Sequence, residues 1–160
     1  MRINTMRCRE CHGEMAPRTL DSMAGEDTGL RMQIDGMPVM ACAKNHKRFV
    51  APNFAVKMMQ ALVEGDPLVP VDGAKQKGLL RKRFVCPGCD TDLDDSAGEH
   101  VEVKRTLELE GIEAIGVRVE VPKFRCASCG KECALPASLL GNALMKASSQ
   151  AFRSAEVSPI

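Results

Sequence analysis

Apolar and polar residues alternate with a period of two in two separate stretches, the pattern of strands with one buried face. In the first, Leu30, Met32 and Ile34 share a face, Asp35-Gly36 reads as a two-residue hairpin turn needing positive φ, and Met37, Val39 and Ala41 lead back to Cys42. In the second, Val101, Val103, Leu107 and Leu109 alternate with polar neighbours. A turn falls near Glu110-Gly111, and Ile115, Val117, Val119 and Val121 return toward Cys126. Each stretch predicts a hairpin. The period then becomes helical in two places. Over residues 52–64, Phe54, Met58, Ala61 and Leu62 fall on one face, opened by Pro52-Asn53 and stopped by Gly65 and Asp66-Pro67. From residue 136 to 153, Leu140, Ala143, Leu144, Ala147 and Ala151 form a stripe interrupted by Gly141, and residues 154–160, without periodicity, are expected to be a disordered tail.

Cysteine spacing changes this picture from two bare hairpins to two metal-stapled ones. The chain has 160 residues, eight Cys, three His, five Phe and neither Trp nor Tyr, so aromatic bulk for a core is scarce. No apolar run reaches the roughly 20 residues of a membrane span, and no apolar segment suggesting a secretory signal precedes the first cysteine, so the expectation is a cytoplasmic chain with no membrane role. There, thiols stay reduced, and metal ligation or reactivity replaces disulfide pairing as the expected use. Cys8-x2-Cys11 is followed by Cys42-x3-His46, and Cys86-x2-Cys89 by Cys126-x2-Cys129. Two thiolates from one short turn occupy one edge of a tetrahedron while a second turn supplies the opposite edge, as Zn2+ prefers. The candidate ligands are therefore Cys8, Cys11, Cys42 and His46 for one ion, and Cys86, Cys89, Cys126 and Cys129 for a second.

Local chemistry favours the second set. Cys86-Pro87-Gly88-Cys89 and Cys126-Ala127-Ser128-Cys129-Gly130 place Pro and Gly where a tight knuckle fixes one φ and lets another turn positive. In the first set, His46 stands one residue further from Cys42 than a C-x2-C knuckle allows. His12, adjacent to Cys11, reads as a solvated surface residue. Cys133 is left over, and reads as a small half-buried apolar residue, with a reactive or substitute thiolate as the sharper alternative.

Residues 66–83 read as a linker between domains, an extended Pro-containing connector running into Lys75, Lys77, Arg81, Lys82 and Arg83. Five cations in nine residues can meet phosphates, or can simply be a solvated connector. Asp90, Asp92, Asp94, Asp95 and Glu99 form an acidic stretch lacking the glycine and terminal glutamate of a calcium loop. Seven thiolates and two Zn2+ would move the formal net charge from +1 to −2, so a broad phosphate-binding surface is not expected. Catalysis is not expected either, because closed four-ligand sets leave no position for water and the chain has no G-x-S-x-G or phosphate-cradling glycine loop.

The first module carries a resemblance. Cys8-x2-Cys11 with His12-Gly13-Glu14-Met15, a strand through Ile34, Gly36-Met37-Pro38-Val39 leading into Cys42, and a helix over 52–64 make residues 7–65 resemble the MqsA/YgiT-type zinc-finger domain of bacterial antitoxins. That resemblance implies bacterial origin and a structural zinc domain that contacts a protein. The family has a second C-x2-C where this chain has Cys42-x3-His46, and a helix-turn-helix domain where this chain has a second ribbon; residues 84–135 resemble a generic zinc ribbon.

The fold expected is a small metal-stabilised, β-rich α+β protein of two tandem zinc ribbons, each a knuckle, β-hairpin and knuckle followed by a helix. Its parts would be an N-terminal ribbon over 1–65, the linker 66–83, a C-terminal ribbon over 84–153 and the tail. The function expected is non-enzymatic: a protein-interaction or assembly module. The alternatives are a nucleic-acid-binding regulator or antitoxin-like protein using residues 75–83, and a redox or zinc sensor using Cys133. Two separate domains imply that Cys89→Ser or Cys129→Ser spares the first module.

Overall fold

The computed structural model describes residues 6–64, 68–93 and 99–158. The expected helix stop at Gly65 and Asp66-Pro67, the acidic positions Asp94 and Asp95, and the last two tail positions therefore lie outside the described residues.

The first hairpin differs from the expected one. It joins β1 (Met15–Asp27) to β2 (Leu30–Cys42), with Asp27 opposite Leu30 and Met15 opposite Cys42. Its turn is Thr28-Gly29, whose φ angles of 52° and 78° satisfy the positive-φ demand of a two-residue hairpin turn. Asp35-Gly36 lies inside β2 instead. Gly36, at φ 72°, kinks the strand there, and buried positions switch from Leu30, Met32 and Ile34 to Met37, Val39 and Ala41. That phase shift is what imitates a turn in the sequence. β1 leaves no period in the sequence because, of its 13 residues, only Met15 and Met23 are buried.

The second hairpin is where the alternation put it: β6 (Glu99–Leu107) and β7 (Ile115–Arg125), with Ile115, Val117, Val119 and Val121 all buried. The strands of the two halves are not kept apart, however. β2 pairs antiparallel with β7, from Arg31 opposite Glu120 to Asp35 opposite Gly116. With β3 (Lys47–Arg48), β8 (Glu132–Ala134) and β9 (Val157–Ser158) they form one seven-stranded sheet. β9 corrects the expectation of a wholly disordered tail: Val157 and Ser158 pair in parallel with β3, and the Phe49 N–H donates to the Ser158 carbonyl. A small separate hairpin, β4 (Lys75–Lys77) and β5 (Arg83–Val85), rises from the stretch read as a linker.

Both helices match their sequence stripes. α1 (Phe54–Val63) buries Phe54, Met58 and Leu62, one turn apart, and α2 (Ala137–Ser154) buries Ala143, Leu144, Ala147 and Ala151. These residues join Ile34, Val39, Val117 and Val119 in a single main core fed by both halves of the chain. The alanine stripe of α2 has a specific cause. A Cβ built at Gly25 of β1 would lie 2.6 Å from the Ala151 nitrogen and nearer still to the Ala147 carbonyl, so helix and strand meet backbone to backbone. Phe49 sits edge-on to Phe152 at 4.9 Å and stacks on Phe54 at 6.0 Å, tying the end of β3 to both helices. Among the described residues no helix is long and apolar enough to cross a membrane.

Candidate metal centres

Register places the two donor sets beyond opposite ends of the β2–β7 pairing: β7 runs past Glu120 to Cys126, whereas β2 runs the other way past Asp35 to Cys42. The three C-x2-C segments share one backbone plan. The first cysteine's N–H donates to the carbonyl five residues on: Cys8 to Gly13 (2.9 Å), Cys86 to Thr91 (2.8 Å) and Cys126 to Lys131 (2.9 Å). Its own carbonyl accepts from the residue four on, His12, Asp90 or Gly130, and each of these has positive φ, at 61°, 59° and 75°. The left-handed residue thus follows the second cysteine. In the Cys86 knuckle this is Asp90, not Gly88; the Gly88 N–H instead donates to the Cys86 sulfur at 3.4 Å. His12 is exposed and stays outside the donor set, serving its knuckle through its backbone.

The fourth turn is tighter by one residue. Asn45, at φ 66°, donates its N–H to the Cys42 carbonyl, and the Cys42 N–H donates to the His46 carbonyl. The reversal therefore comes before the fourth donor, and the Cys42-x3-His46 spacing is what brings the imidazole round. Arg18 on β1 pins this turn through a 3.0 Å bond to the Asn45 side chain. His46 Nδ1 lies 3.3 Å from the Cys8 sulfur and 3.4 Å from that of Cys42, and the Cys11 and Cys42 sulfurs are 3.6 Å apart. The other ring nitrogen, Nε2, meets the Glu10 carboxylate at 3.0 Å. With the proton on Nε2, the ring donates to Glu10 and offers the Nδ1 lone pair to the cluster, the carboxylate–histidine arrangement that orients metal-bound imidazoles. Sequence spacing does not flag Glu10, which lies inside the knuckle between the two cysteines.

At the other end, Cys86 and Cys129 lie 3.6 Å apart, and Cys89 and Cys126 3.5 Å apart. In each set all four donor atoms fall within 4.8 Å of one another. A tetrahedron with metal–sulfur bonds of about 2.3 Å has edges of about 3.8 Å, whereas a disulfide would need about 2.05 Å. All eight cysteines are free. The spacing and the sulfur and nitrogen donors fit a tetrahedral ion at each end, and every sequence-expected donor is where it is needed. Two metal ions can be held.

Hydrogen bonds divide the thiols of the second set. The Thr91 hydroxyl, 3.2 Å away, and the Thr91 backbone N–H draw Cys89 down to about 6. The Lys131 N–H favours the Cys129 thiolate, but the sulfurs of Cys86, Cys89 and Cys126 together hold Cys129 up at about 11. In the first set the N–H groups of Cys11 and Glu10 lower Cys8. Burial works to raise Cys42, yet the His46 N–H and the Cys11 thiol bring it down.

Cys133 is fully buried, is raised by that burial, and lies outside both clusters. The small apolar residue is the description that fits. Of the five linker cations, Lys77 pairs with Asp90 at 3.3 Å and Arg83 with Asp92 at 3.3 Å, so two are paired with carboxylates of the Cys86 knuckle segment that follows their hairpin. No protein-family model, curated protein or solved structure matches the chain, and its functional reading rests on this geometry.

Proposed function

We propose that the chain is a non-enzymatic, zinc-stabilised protein-interaction module, whose groove between α1 and α2 takes an amphipathic partner helix with acidic edges. Zinc is supported by donor chemistry, since seven thiols and one imidazole in closed sets of four suit Zn2+ better than oxygen-seeking cations. Closed sets also leave no open position for a metal-bound water. The role of the ions is to fix the ends of the sheet from which the helices are hung.

The observation that carries the docking role is the groove itself, a cavity of about 960 Å³ with Phe49 and Phe152 among its lining residues. Val56, Val63 and Met145 line it and are more than half exposed, which makes three of the five exposed large apolar residues in the described chain. The only charged residues on the two helices are Lys57, Lys146 and Arg153. Of these only Arg153 lines the groove, and an apolar channel with one guanidinium in its lining, and no carboxylate, fits a helix that presents apolar residues at i, i+3, i+4 and i+7 and carboxylates on its flanks.

Fluorescence anisotropy of two labelled model helices tests this, one leucine-faced with glutamate flanks and the other identical but with lysine flanks. The zinc-loaded chain should bind the first with micromolar affinity and ignore the second, and Val63→Asp with Met145→Asp should abolish binding without altering the melting temperature. Equal binding of both peptides, or unchanged binding by the double variant, would remove the groove from the account.

A further inference from the structure

The remaining exposed apolar residues are a pair. Leu79 and Leu80 are 101% and 99% exposed, at the apex of the hairpin formed by β4 and β5. The last pairing before the apex is Lys77 opposite Arg83, so the loop comprises residues 78–82, all of them exposed. Gly78, at φ 113°, makes the bend, and a side chain there would strike the Arg81 carbonyl. The base of the hairpin is tied to its surroundings in three ways. Phe84 packs on Phe124 at 5.7 Å, Lys77 and Arg83 pair with Asp90 and Asp92, and Cys86 of the second donor set follows β5 directly. The base thus presents two leucines to solvent with the exposed cations Arg81 and Lys82, which pair with no carboxylate among the described residues, beside them, and with Lys75 further down the same hairpin.

We propose that this tip docks on anionic lipid surfaces, the leucines entering the headgroup–acyl boundary while Arg81, Lys82 and Lys75 meet lipid phosphates. The choice over nucleic acid follows from what the tip offers. Single-strand binding combines cations with aromatic platforms for bases, and the hairpin's one aromatic, Phe84, is turned inward onto Phe124. Phosphate contact alone leaves two leucines in water. A convex apolar apex ringed by cations is matched by an interface that is soft, apolar beneath and negative on top, which is how a protein lies on a membrane without spanning it. None of the hairpin's residues lines the α1–α2 groove, and the tip does not depend on that groove having a partner.

The test is co-sedimentation of the full metal-loaded chain with phosphatidylcholine vesicles, with and without about one-third phosphatidylglycerol. Binding should require the anionic lipid and weaken with salt. Leu79→Ser with Leu80→Ser should reduce the partition coefficient at least about tenfold, a change expected from the apolar area withdrawn from the interface. Arg81→Gln with Lys82→Gln should reduce it about fivefold per charge. Both variants lie in solvent, so an unchanged melting temperature shows that the fold is intact. Equal binding to neutral vesicles, indifference to the leucine pair, or retention on single-stranded nucleic acid without vesicle binding would each overturn the proposal.

Discussion

The two donor sets of this molecule solve the same problem with different local means. The second donor set uses two knuckles of one backbone plan, four thiols and its own small apolar cluster, in which Leu93, Phe124, Cys133 and Leu135 surround Cys86 and Cys126. The first set replaces one knuckle by a tighter turn, trades a thiol for an imidazole anchored by Glu10, and among the described residues has a buried cluster of just Cys8, Met15 and Cys42. Between them lies the main core, built jointly by both hairpins and both helices. Apolar packing thus fixes the middle of the sheet, and donor convergence fixes the ends, where few apolar side chains are available.

The largest effect should come from removing the metals. A structural site is worth on the order of 10 kcal/mol, which for a chain of this size corresponds to a fall in melting temperature of roughly 20–40 °C. Hydrogen exchange should show the knuckles losing protection first and the β2–β7 segment last. Because that segment is shared, Cys129→Ser should loosen both halves together. Separate melting transitions for the two halves would restore the picture of independent ribbons.

Next comes the seam. Ile34→Ala opens a cavity in a fully buried position of β2 beside β7 and should cost about 2–5 kcal/mol in denaturant titrations, with metal content unchanged. Gly25→Ala forces β1 away from α2 and should cost about 1–3 kcal/mol by the same measurement. The smallest effects sharpen the contrast between the two ends. Glu10→Gln should weaken metal binding at the first site about 10- to 100-fold in chelator competition and leave the second untouched. At the second site protons compete with the metal for thiolates, so apparent affinity should rise with pH, most steeply below about 6, where Cys89 is protonated as well, and should keep rising toward about 11, where Cys129 loses its proton. A pH-independent affinity across that window would contradict the arrangement of its donors.

Much of this was legible in the sequence because it is local. C-x2-C spacing identified three knuckles, alternation identified β6 and β7, and the helical stripes identified α1 and α2 nearly to the residue. What stayed hidden is long-range or disguised. Nothing in the period of β2 or β7 says that they pair with each other, since a buried strand looks the same beside either neighbour. β1 reads as polar because its long pairing with β2 and the close backbone approach of α2 at Gly25, not a run of buried side chains, hold it. Gly36 mimics a turn by shifting the alternation, while the real turn, Thr28-Gly29, lacks the Asn or Asp that usually announces one. β9 is too short for any period to register.

The most direct test is metal stoichiometry on the chain purified without added metal. Two zinc ions per chain are expected, falling to one in Cys126→Ser and to one in Cys42→Ser, with the remaining ion at the opposite end. A fully folded wild-type chain that carries no metal and takes up none would contradict that.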